Sequence, residues 1–426
     1  MAAIDPYRRV LSSLKISHDT LTVNGYCVKL PRFKRIFLLA VGKASAAMTR
    51  AAVESLRGWP VNGIAVVPPN QRVPSMGDNI TVLRASHPLP GPDGLLAASN
   101  VSTALSNLER EDLLLCMISG GSSAMLPSPP PGIALRDEQR LTKSLVNSRA
   151  TIHDINTVRR HISTLKGGRL VQLCKAGSIL SLIISDVPGN FLPDIGSGLT
   201  VEDPTTFQQA IEAMRKYGVW ELAPDAVRDY LTLGRRGKVP ETPKPGDHQF
   251  AKVHNVVLAD NATACSAAAR FLSADHSTPA TVLTSRAEIE ASQMGKLLAA
   301  TATDRTRQTL PMGSILLGGE TTVLVRGNGT GGRNQETALS AVEGIAGLDG
   351  AVVGALGTDG IDGNSNAAGA IVDGRTFKRA ERKGLRPKDY LARNDSYHFF
   401  HALGDNLITG RTGTNVGDIY LMTRIR

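Results

Sequence analysis

Short apolar runs that stop at a glycine or polar turn and lead into helix-forming segments recur along this chain. The first is IFLLAV (36–41), which stops at Gly42 and is followed by an alanine-rich segment with helical character. The same plan returns in LLLCMI, SILSLII, VHNVVLA and ATVL. Continuous apolar runs are typical of strands covered on both faces, and their alternation with helices indicates a parallel sheet. The sequence therefore predicts an α/β fold.

A polar, proline-rich segment at 233–250 lacks periodicity and is the best candidate for a linker. We therefore predict an N-terminal domain over 1-240, a Rossmann-like three-layer sandwich with a parallel sheet. A smaller C-terminal α/β domain follows over 241-426, with an active-site cleft between the two. The 426 residues are enough for two separate cores.

Charge and composition narrow the class of partner. With 48 Lys and Arg against 38 Asp and Glu, the net charge of +10 favours anionic ligands. Aromatic residues make up only 4%, too few for base stacking, so small phosphorylated or carboxylated substrates fit better than nucleic acid. The four cysteines show no CxxC spacing and no window has 18 apolar residues, so we expect a cytoplasmic protein without a membrane span. The oligomeric state stays open, with a homodimer as one option.

The stretch GGETTVLVRGNGTGGRNQE (318–336) predicts a phosphate site. Thr321–Arg326 is interpreted as a buried strand, the glycines at 327, 329, 331 and 332 as a loop, and the residues from Arg333 as a helix. Glycines let a phosphate approach the backbone, and the N–H groups at a helix start attract it. The same letters match the dinucleotide fingerprint GxGxxG, although Asp359 follows Gly327 by 32 residues where about 20 is expected. A glycine loop without a ligand is the third interpretation.

Other candidate residues stand where predicted strands end. Lys43 follows the first strand at a helix start, where its own helix disfavours a cation, so an anionic ligand explains it best. Asp186 ends the strand SILSLII, where open α/β sheets hold ligands, and its hard oxygens suit Mg²⁺. Asp359 is the second candidate for a metal, or else a turn former. His87 is either catalytic or packed in a turn. The further binding candidates are Ser119, Gly120, Gly121, Ser122, Arg159, Lys166, Glu320, Gly329, Gly331, Gly332 and Asn334.

Taken together and in this order, nine motifs resemble class II glycerate kinases, the ATP-dependent glycerate 2-kinases. They are VGKASAAM, SHPLPGPDG, ISGGSSAM, INTVRRHISTLKGGRL, IISDVPGN, SGLTVEDPTTF, GGETTVLVRGNGTGGRNQE, GTDGIDGNSNAAGAIVDG and NDSYHFFHALGD with TGTNVGD. The resemblance implies two α/β domains and transfer of a phosphoryl group from Mg-ATP to the 2-hydroxyl of D-glycerate. It also implies that Lys43 and Arg333 are the catalytic cations. Two positions depart from the family: Ser122 stands where a third glycine is common, and Asn190 where an Asp is frequent.

Phosphoryl transfer requires in-line positioning and charge neutralisation, and little covalent work by the protein. We therefore expect the loop 119–123 and Lys43 to hold ATP phosphates, and Arg333 to complete the charge clamp. Asp186 is expected to bind Mg²⁺ or orient the hydroxyl. Arg159 or Lys166 is expected to meet the glycerate carboxylate, with a solvated basic helix face as the commoner alternative for these residues. An NAD(P)H-dependent hydroxypyruvate reductase and a non-catalytic phosphosugar-binding regulator remain as alternatives.

Overall fold

The computed structural model describes residues 2–275, 279–306 and 313–424. The chain forms two compact units. The N-terminal unit comprises Pro6–Ser185 and Asn190–Leu258; the C-terminal unit comprises Ala259–Arg426 together with Met1–Asp5 and Asp186–Gly189. None of the helices in the described ranges is both long and apolar enough to span a bilayer.

The N-terminal unit opens with a small antiparallel sheet, and the large sheet with its helices follows. Its elements are α1 (Pro6–Ser13), β1 (Leu14–Ser17), β2 (Thr20–Val23), β3 (Tyr26–Lys29), β4 (Arg35–Val41), α2 (Ser45–Ser55), β5 (Val61–Val67), β6 (Ile80–Arg84), α3 (Pro92–Ser106), β7 (Asp112–Ile118), α4 (Ser122–Met125), α5 (Leu135–Asn147), α6 (Ile152–His161), α7 (Arg169–Leu173), β8 (Ser178–Ile184), α8 (Phe207–Lys216), α9 (Asp225–Arg235) and β9 (Val253–Ala259). Short 3-10 turns include Pro188–Asn190 and Leu192–Ser197.

The large sheet of the N-terminal unit has the strand order β6-β5-β4-β7-β8-β9. The pairs β5 with β6, β4 with β5, β4 with β7, and β7 with β8 are all parallel. Strand β7 is buried along its whole length, as continuous apolar strands in covered parallel sheets are. The order reverses between β4 and β7, which is the doubly wound Rossmann arrangement. The predicted α/β class with a parallel sheet is confirmed.

The C-terminal unit carries a mixed sheet with the order β10-β11-β15-β12-β13-β14. Strands β10 and β11 run parallel and the other pairs are antiparallel. Its core includes Leu298, Leu339, Val353, Phe399 and Tyr420. The elements are α10 (Asn261–Asp275), β10 (Ala280–Ala287), α11 (Ala291–Thr306), β11 (Gly313–Gly319), α12 (Arg333–Ala341), β12 (Ala351–Gly357), β13 (Gly369–Asp373), α13 (Thr376–Arg382), α14 (Pro387–Ala392), α15 (Ser396–Leu403), β14 (Asn406–Leu407) and β15 (Asp418–Arg424).

The division of the chain by contacts falls after Leu258, whereas the linker at 233–250 places a boundary at 240/241. The intervening strand β9 joins the sheet of the N-terminal unit. Hydrophobic periodicity identifies a strand but does not say which sheet the strand will join. The segment Asp186–Gly189 counts with the C-terminal unit although it follows β8, which the sequence did not indicate.

The strand predicted at Thr321–Arg326 is wrong. This segment is irregular apart from one bridge between Thr322 and Glu290, and Val325 is 71% exposed. From Leu324 onward, the backbone bonds to a side chain and not to a neighbouring strand. Asn394 Oδ1 accepts from Arg326 N at 2.6 Å, and Asn394 Nδ2 donates to the carbonyl of Leu324. The strand lies upstream as β11, while the predicted helix is present as α12.

Candidate active site

Two loops face each other at the point where the strand order of the N-terminal unit reverses. Lys43 N donates to the carbonyl of Gly120 at 2.9 Å, and Ala44 N donates to Ser119 Oγ at 3.0 Å. Gly42 has φ of 118°, and a Cβ there would lie 2.4 Å from Ser119 Oγ, so a glycine is required for the loops to approach. Ligands of open α/β sheets bind in the crevice at such a reversal. Lys43 therefore stands at the place where sheets of this kind bind ligands.

Ser119 and Ser122 in the loop after β7 are directed into the protein. Ser119 is 2% exposed, and its hydroxyl holds the loop after β4. Ser122 is fully buried, and its Oγ has no hydrogen-bond partner among the described residues. A Cβ added to Gly196 would lie 2.5 Å from Ser122 Oγ, so that hydroxyl is directed at Gly196. Neither hydroxyl is turned outward, so an anion at this loop would meet backbone groups and Lys43 and not these two serines. Phosphate binding by Ser119, Gly120, Gly121 and Ser122 stays a prediction.

His87 and Arg159 belong to the surroundings of the same loop. A Cβ on Gly121 would lie 2.9 Å from His87 Cδ2, so the imidazole packs directly on the loop. Burial, together with the positive charges of Lys43 and Arg159, lowers the pKa of His87 to about 4. The ring is therefore neutral at pH 7 and can accept a hydrogen bond. Burial lowers the pKa of Arg159 as well, so this guanidinium is partly removed from water.

The side chain of Lys166 is paired with other groups of the N-terminal unit. Its ammonium donates to the carbonyl of Leu126 at 3.2 Å and lies 3.5 Å from Glu138 Oε1. The residue is fully buried, and burial lowers its pKa. The neighbouring Arg160 is also fully buried, with Asp194 and Asp203 carboxylates each 2.9 Å away. These two cations have internal partners, and substrate binding by Lys166 stays a prediction.

Arg333 begins helix α12 of the C-terminal unit and is held by two carboxylates. Nε lies 2.5 Å from Asp418 Oδ2 and Nη2 lies 3.2 Å from Asp418 Oδ1, while Nη1 donates to Glu320. Burial opposes the charge of Arg333, but the carboxylates of Asp418 and Glu320 outweigh burial and raise its pKa. Burial raises the pKa of Glu320; the Arg333 charge opposes this, and the Asp418 and Asp186 carboxylates add to it. The predicted cation is therefore present and permanently charged, with its orientation fixed.

Sequence reasoning missed the role of Asp418. The sequence analysis included Asp418 only as the last residue of the motif TGTNVGD and did not connect it to Arg333, 85 residues away. The residue is 1% exposed at the start of β15 and also accepts from the Tyr420 hydroxyl at 3.0 Å. An acidic residue that opens a buried strand needs a partner, because an unpaired buried charge is costly. That signal could have indicated a cationic partner, though not which one.

The N-terminus of α12 is occupied by a carboxylate of the chain. Asp362 accepts from Asn334 N at 3.0 Å and from Gln335 N at 2.8 Å, and it also accepts from both side-chain amides. Burial raises the pKa of Asp362, and these hydrogen bonds oppose that effect. Asp362 therefore sits where the sequence predicted a phosphate. Phosphate binding by Gly329, Gly331, Gly332 and Asn334 stays a prediction.

The glycines before α12 pack against the chain itself. A Cβ on Gly332 would lie 2.4 Å from Asp362 Oδ1, and one on Gly329 would lie 2.5 Å from the carbonyl of Asn394. At Gly331 an added Cβ would lie 2.1 Å from Ser396 Oγ. Internal packing is therefore a sufficient reason for glycine at these positions.

The two predicted metal ligands have protein contacts of different kinds. Asp186 Oδ2 accepts from Asn415 Nδ2 at 3.2 Å, and Asp359 Oδ1 accepts from Ile361 N at 3.1 Å within a turn. Among the residues that the structure describes, no three His, Cys, Asp or Glu side chains are grouped to hold a metal ion. Magnesium is commonly held by one or two carboxylates together with substrate phosphates and water. Asp186, which is close enough to Glu320 to raise the pKa of that carboxyl, fits such a partial site.

Comparison with known proteins covers both units. Residues 1–232 match a family described as a domain of unknown function, DUF4147, and residues 313–418 match the MOFRL family. The chain is 39% identical to a glycerate 2-kinase of Pyrococcus horikoshii, over 98% of this chain and 93% of that protein. It is also 39% identical, over 97% of this chain and 92% of its length, to an Agrobacterium vitis protein with the provisional name hydroxypyruvate reductase.

A solved structure gives the same result at the level of the fold. The crystal structure of a glycerate kinase from Thermotoga maritima is 33% identical to this chain. It aligns with a TM-score of 0.83 and covers 99% of this chain and 96% of that one. Similarity of sequence and fold over nearly the full length shows that the chain belongs to the glycerate kinase family.

Proposed function

We propose that the protein is a glycerate 2-kinase, which transfers the γ-phosphoryl group of ATP to the 2-hydroxyl of D-glycerate and releases 2-phosphoglycerate and ADP. Membership of the glycerate kinase family supports this function. The observation that carries it is Lys43, which is fixed at the strand-order reversal by the bond from its N–H to Gly120. A lysine whose backbone is fixed at this reversal can bring a positive charge to a transferring phosphoryl group, which such a transfer requires.

In this proposal the N-terminal unit supplies the positive charge that binds the phosphates. Lys43 and the backbone of the loop 119–123 hold the phosphate oxygens. Because hydrogen bonds join this loop to the loop of Lys43, the two loops do not have to rearrange during the reaction. His87 is neutral at pH 7 and can accept a hydrogen bond from the acceptor hydroxyl. Phosphoryl transfer with a loose transition state demands positioning of this hydroxyl more than a strong base.

Arg333 supplies a second cation for anionic oxygen atoms of the substrates. A guanidinium has five N–H donors, and three of them are used by Asp418 and Glu320. The remaining N–H on each Nη is available to donate to a phosphate or a carboxylate. Because the carboxylates orient the fork, Arg333 would bind without losing much side-chain freedom.

We assign Mg²⁺ to Asp186, with Asp359 as the second candidate. Bound with ATP, Mg²⁺ neutralises charge on the phosphate oxygens. Asp186 contributes a hard oxygen and lies in the electrostatic neighbourhood of Glu320 and Arg333. A cytoplasmic location and a homodimer stay predictions.

The alternative reductase function has less support from the geometry. The Gly327-x-Gly329-x-x-Gly332 match is not preceded by a strand, and Asp362 occupies the helix start where a pyrophosphate would bind. The turn after β4 in the doubly wound sheet reads Gly42-Lys43-Ala44 and lacks the glycine fingerprint. A kinase explains Lys43 in this turn better.

A coupled assay distinguishes the candidate functions. With Mg-ATP and D-glycerate we expect ADP and a product that enolase converts directly to phosphoenolpyruvate, without added phosphoglycerate mutase. A product that needs the mutase would contradict transfer to the 2-hydroxyl. NADH or NADPH oxidation with hydroxypyruvate would support the reductase, and phosphosugar binding without turnover would support the regulator.

A further inference from the structure

Arg159 on α6 differs from the other cations around it. Arg160 is bonded to Asp194 and Asp203, and Lys166 to Leu126 and Glu138. Within the described ranges of the chain, the Arg159 guanidinium makes no hydrogen bond or ion pair, although the charge of Glu138 acts on it from a longer distance. A guanidinium that is partly removed from water without acceptors costs stability. A bound anion would supply those acceptors.

The fold places Arg159 beside the loop after β7. Asn156 Oδ1 accepts from Ser197 Oγ at 2.8 Å, and Ser197 Oγ lies 2.8 Å from Ser123 Oγ at the end of this loop. Arg159 follows Asn156 by three residues on α6, so both side chains lie on the face of the helix that is turned to the loop. The other end of the same loop carries Gly121 with the imidazole of His87 against it.

The electrostatics agree with this placement. The charges of Lys43 and Arg159 both act on His87, so both cations lie near the same imidazole. In glycerate the 2-hydroxyl and the carboxylate are on adjacent carbon atoms. A group that binds the carboxylate must therefore lie next to the group that holds the transferring phosphoryl.

We infer that Arg159 binds the carboxylate of the acceptor, and that it thereby restricts the enzyme to α-hydroxy acids. This inference rests on the proposed kinase function and adds the recognition of the acceptor to it. The planar fork of a guanidinium pairs with both oxygens of a carboxylate. Glycerol, which has the hydroxyl but lacks the carboxylate, leaves the fork empty.

The test compares Arg159→Gln and Arg159→Lys with the wild type and with Arg140→Gln, an exposed arginine on α5 as the matched control. We expect Arg159→Gln to raise the KM and the Kd for D-glycerate on the order of 10²-fold. The KM for ATP should change less than about twofold. Arg159→Lys keeps the charge but loses the fork, so its KM for D-glycerate should lie between those of the wild type and Arg159→Gln. The ratio of kcat/KM for D-glycerate to kcat/KM for glycerol should fall by the same factor as the affinity for D-glycerate.

Thermal unfolding separates recognition from a structural role. Removal of an unpaired, partly desolvated cation should leave the Tm of Arg159→Gln equal to or above that of the wild type. Lys166→Gln should lower the Tm, because it leaves the Glu138 carboxylate buried without its partner. A loss of Tm in Arg159→Gln that parallels the loss of glycerate affinity would overturn the inference.

Two other outcomes would overturn it as well. If Arg159→Gln raises the KM for ATP and leaves that for D-glycerate unchanged, the guanidinium binds the nucleotide. If both constants are unchanged, Arg159 binds neither substrate. Failure of the wild type to phosphorylate D-glycerate would instead overturn the proposed function, and the inference together with it.

Discussion

Two glycine loops that look alike in sequence, ISGGSSAM in the N-terminal unit and GNGTGGRNQE in the C-terminal unit, have different surroundings. The first lies at the reversal of strand order, where it holds the loop of Lys43 through Ser119 and Gly120. The second opens α12, where Asp362 accepts from the N–H groups of Asn334 and Gln335. The first loop is where we propose that a phosphate binds, and the second binds a carboxylate of its own chain.

The difference shows that a glycine loop before a helix indicates an anion but not the source of that anion. A helix N-terminus attracts negative charge from a ligand and from an Asp side chain alike. The Asp is always present, so it occupies the donors unless the ligand displaces it. The predictions below test this contrast between the two loops, starting from the largest expected effect.

The largest effect is expected at the cations next to the two loops. Lys43→Ala should reduce kcat by about 10³-fold or more, because the lysine neutralises charge on the transferring group. Lys15→Ala, at an exposed lysine of β1, is the control and should keep full activity. Steady-state kinetics with Mg-ATP and D-glycerate measure the change. A Lys43→Ala enzyme within tenfold of the wild type would remove Lys43 from the site.

Arg333→Ala should reduce both turnover and stability. It leaves the Asp418 carboxylate buried without its bidentate partner, which we expect to cost about 3 kcal/mol. Arg379→Ala breaks the Arg379–Asp405 ion pair, at 2.7 Å in the same unit, and should cost less stability and no turnover. Chemical denaturation together with kinetics gives both quantities. Unchanged stability in Arg333→Ala would mean that the ion pair with Asp418 contributes little.

Asp362→Ala should expose the anion site of α12 and cost about 2 kcal/mol, because several N–H donors lose their acceptor. Sulfate should then raise the Tm of the variant more than that of the wild type, since the ion replaces the carboxylate. Sulfate also stabilises proteins in general, so the wild type at equal sulfate concentration is the reference. Equal Tm shifts in the two proteins would show that the N–H groups do not accept an external anion.

The smallest effect is a pH dependence at Glu336 on α12. Burial, together with Glu290, raises the pKa of Glu336 to about 7, although the Asn394 amide opposes this. Asn394 also holds the irregular segment before the glycine loop. The native state binds the proton more tightly than the unfolded chain, so this contribution to stability is lost as the pH rises from about 4.5 to 7.

Glu336→Gln cannot ionise and should keep the stability that the wild type loses. The unfolding free energy of Glu336→Gln should exceed that of the wild type by an amount that grows with pH to the order of 1–3 kcal/mol. Melting curves of both proteins at pH 5 and pH 8 measure it, with Glu381→Gln at an exposed position of α13 as the control. A Tm difference that is the same at both pH values would contradict the raised pKa.

Most of the architecture of the N-terminal unit could be predicted because its signals are local. The apolar runs at β4, β7 and β8, the glycine turn before α2 and the position of Lys43 all follow from neighbouring residues. The segment Thr321–Arg326 was misinterpreted because β-branched residues favour a strand, while the side chain of Asn394, 68 residues from Arg326, bonds its backbone. Strand β9 was recognised, but the sheet that it joins was not.

The sequence by itself determined the α/β class, the family and the residues at the strand ends that carry charge. Only the tertiary structure decided which charges have internal partners. In the structure Arg333 pairs with Asp418, the first N–H groups of α12 donate to Asp362, and Lys166 lies beside Glu138. Arg159 has no acceptor among the described residues. These pairs join residues 27 to 85 positions apart, and such contacts depend on how the elements pack. Periodicity and composition contain no information on distances of that kind, because they describe each element separately.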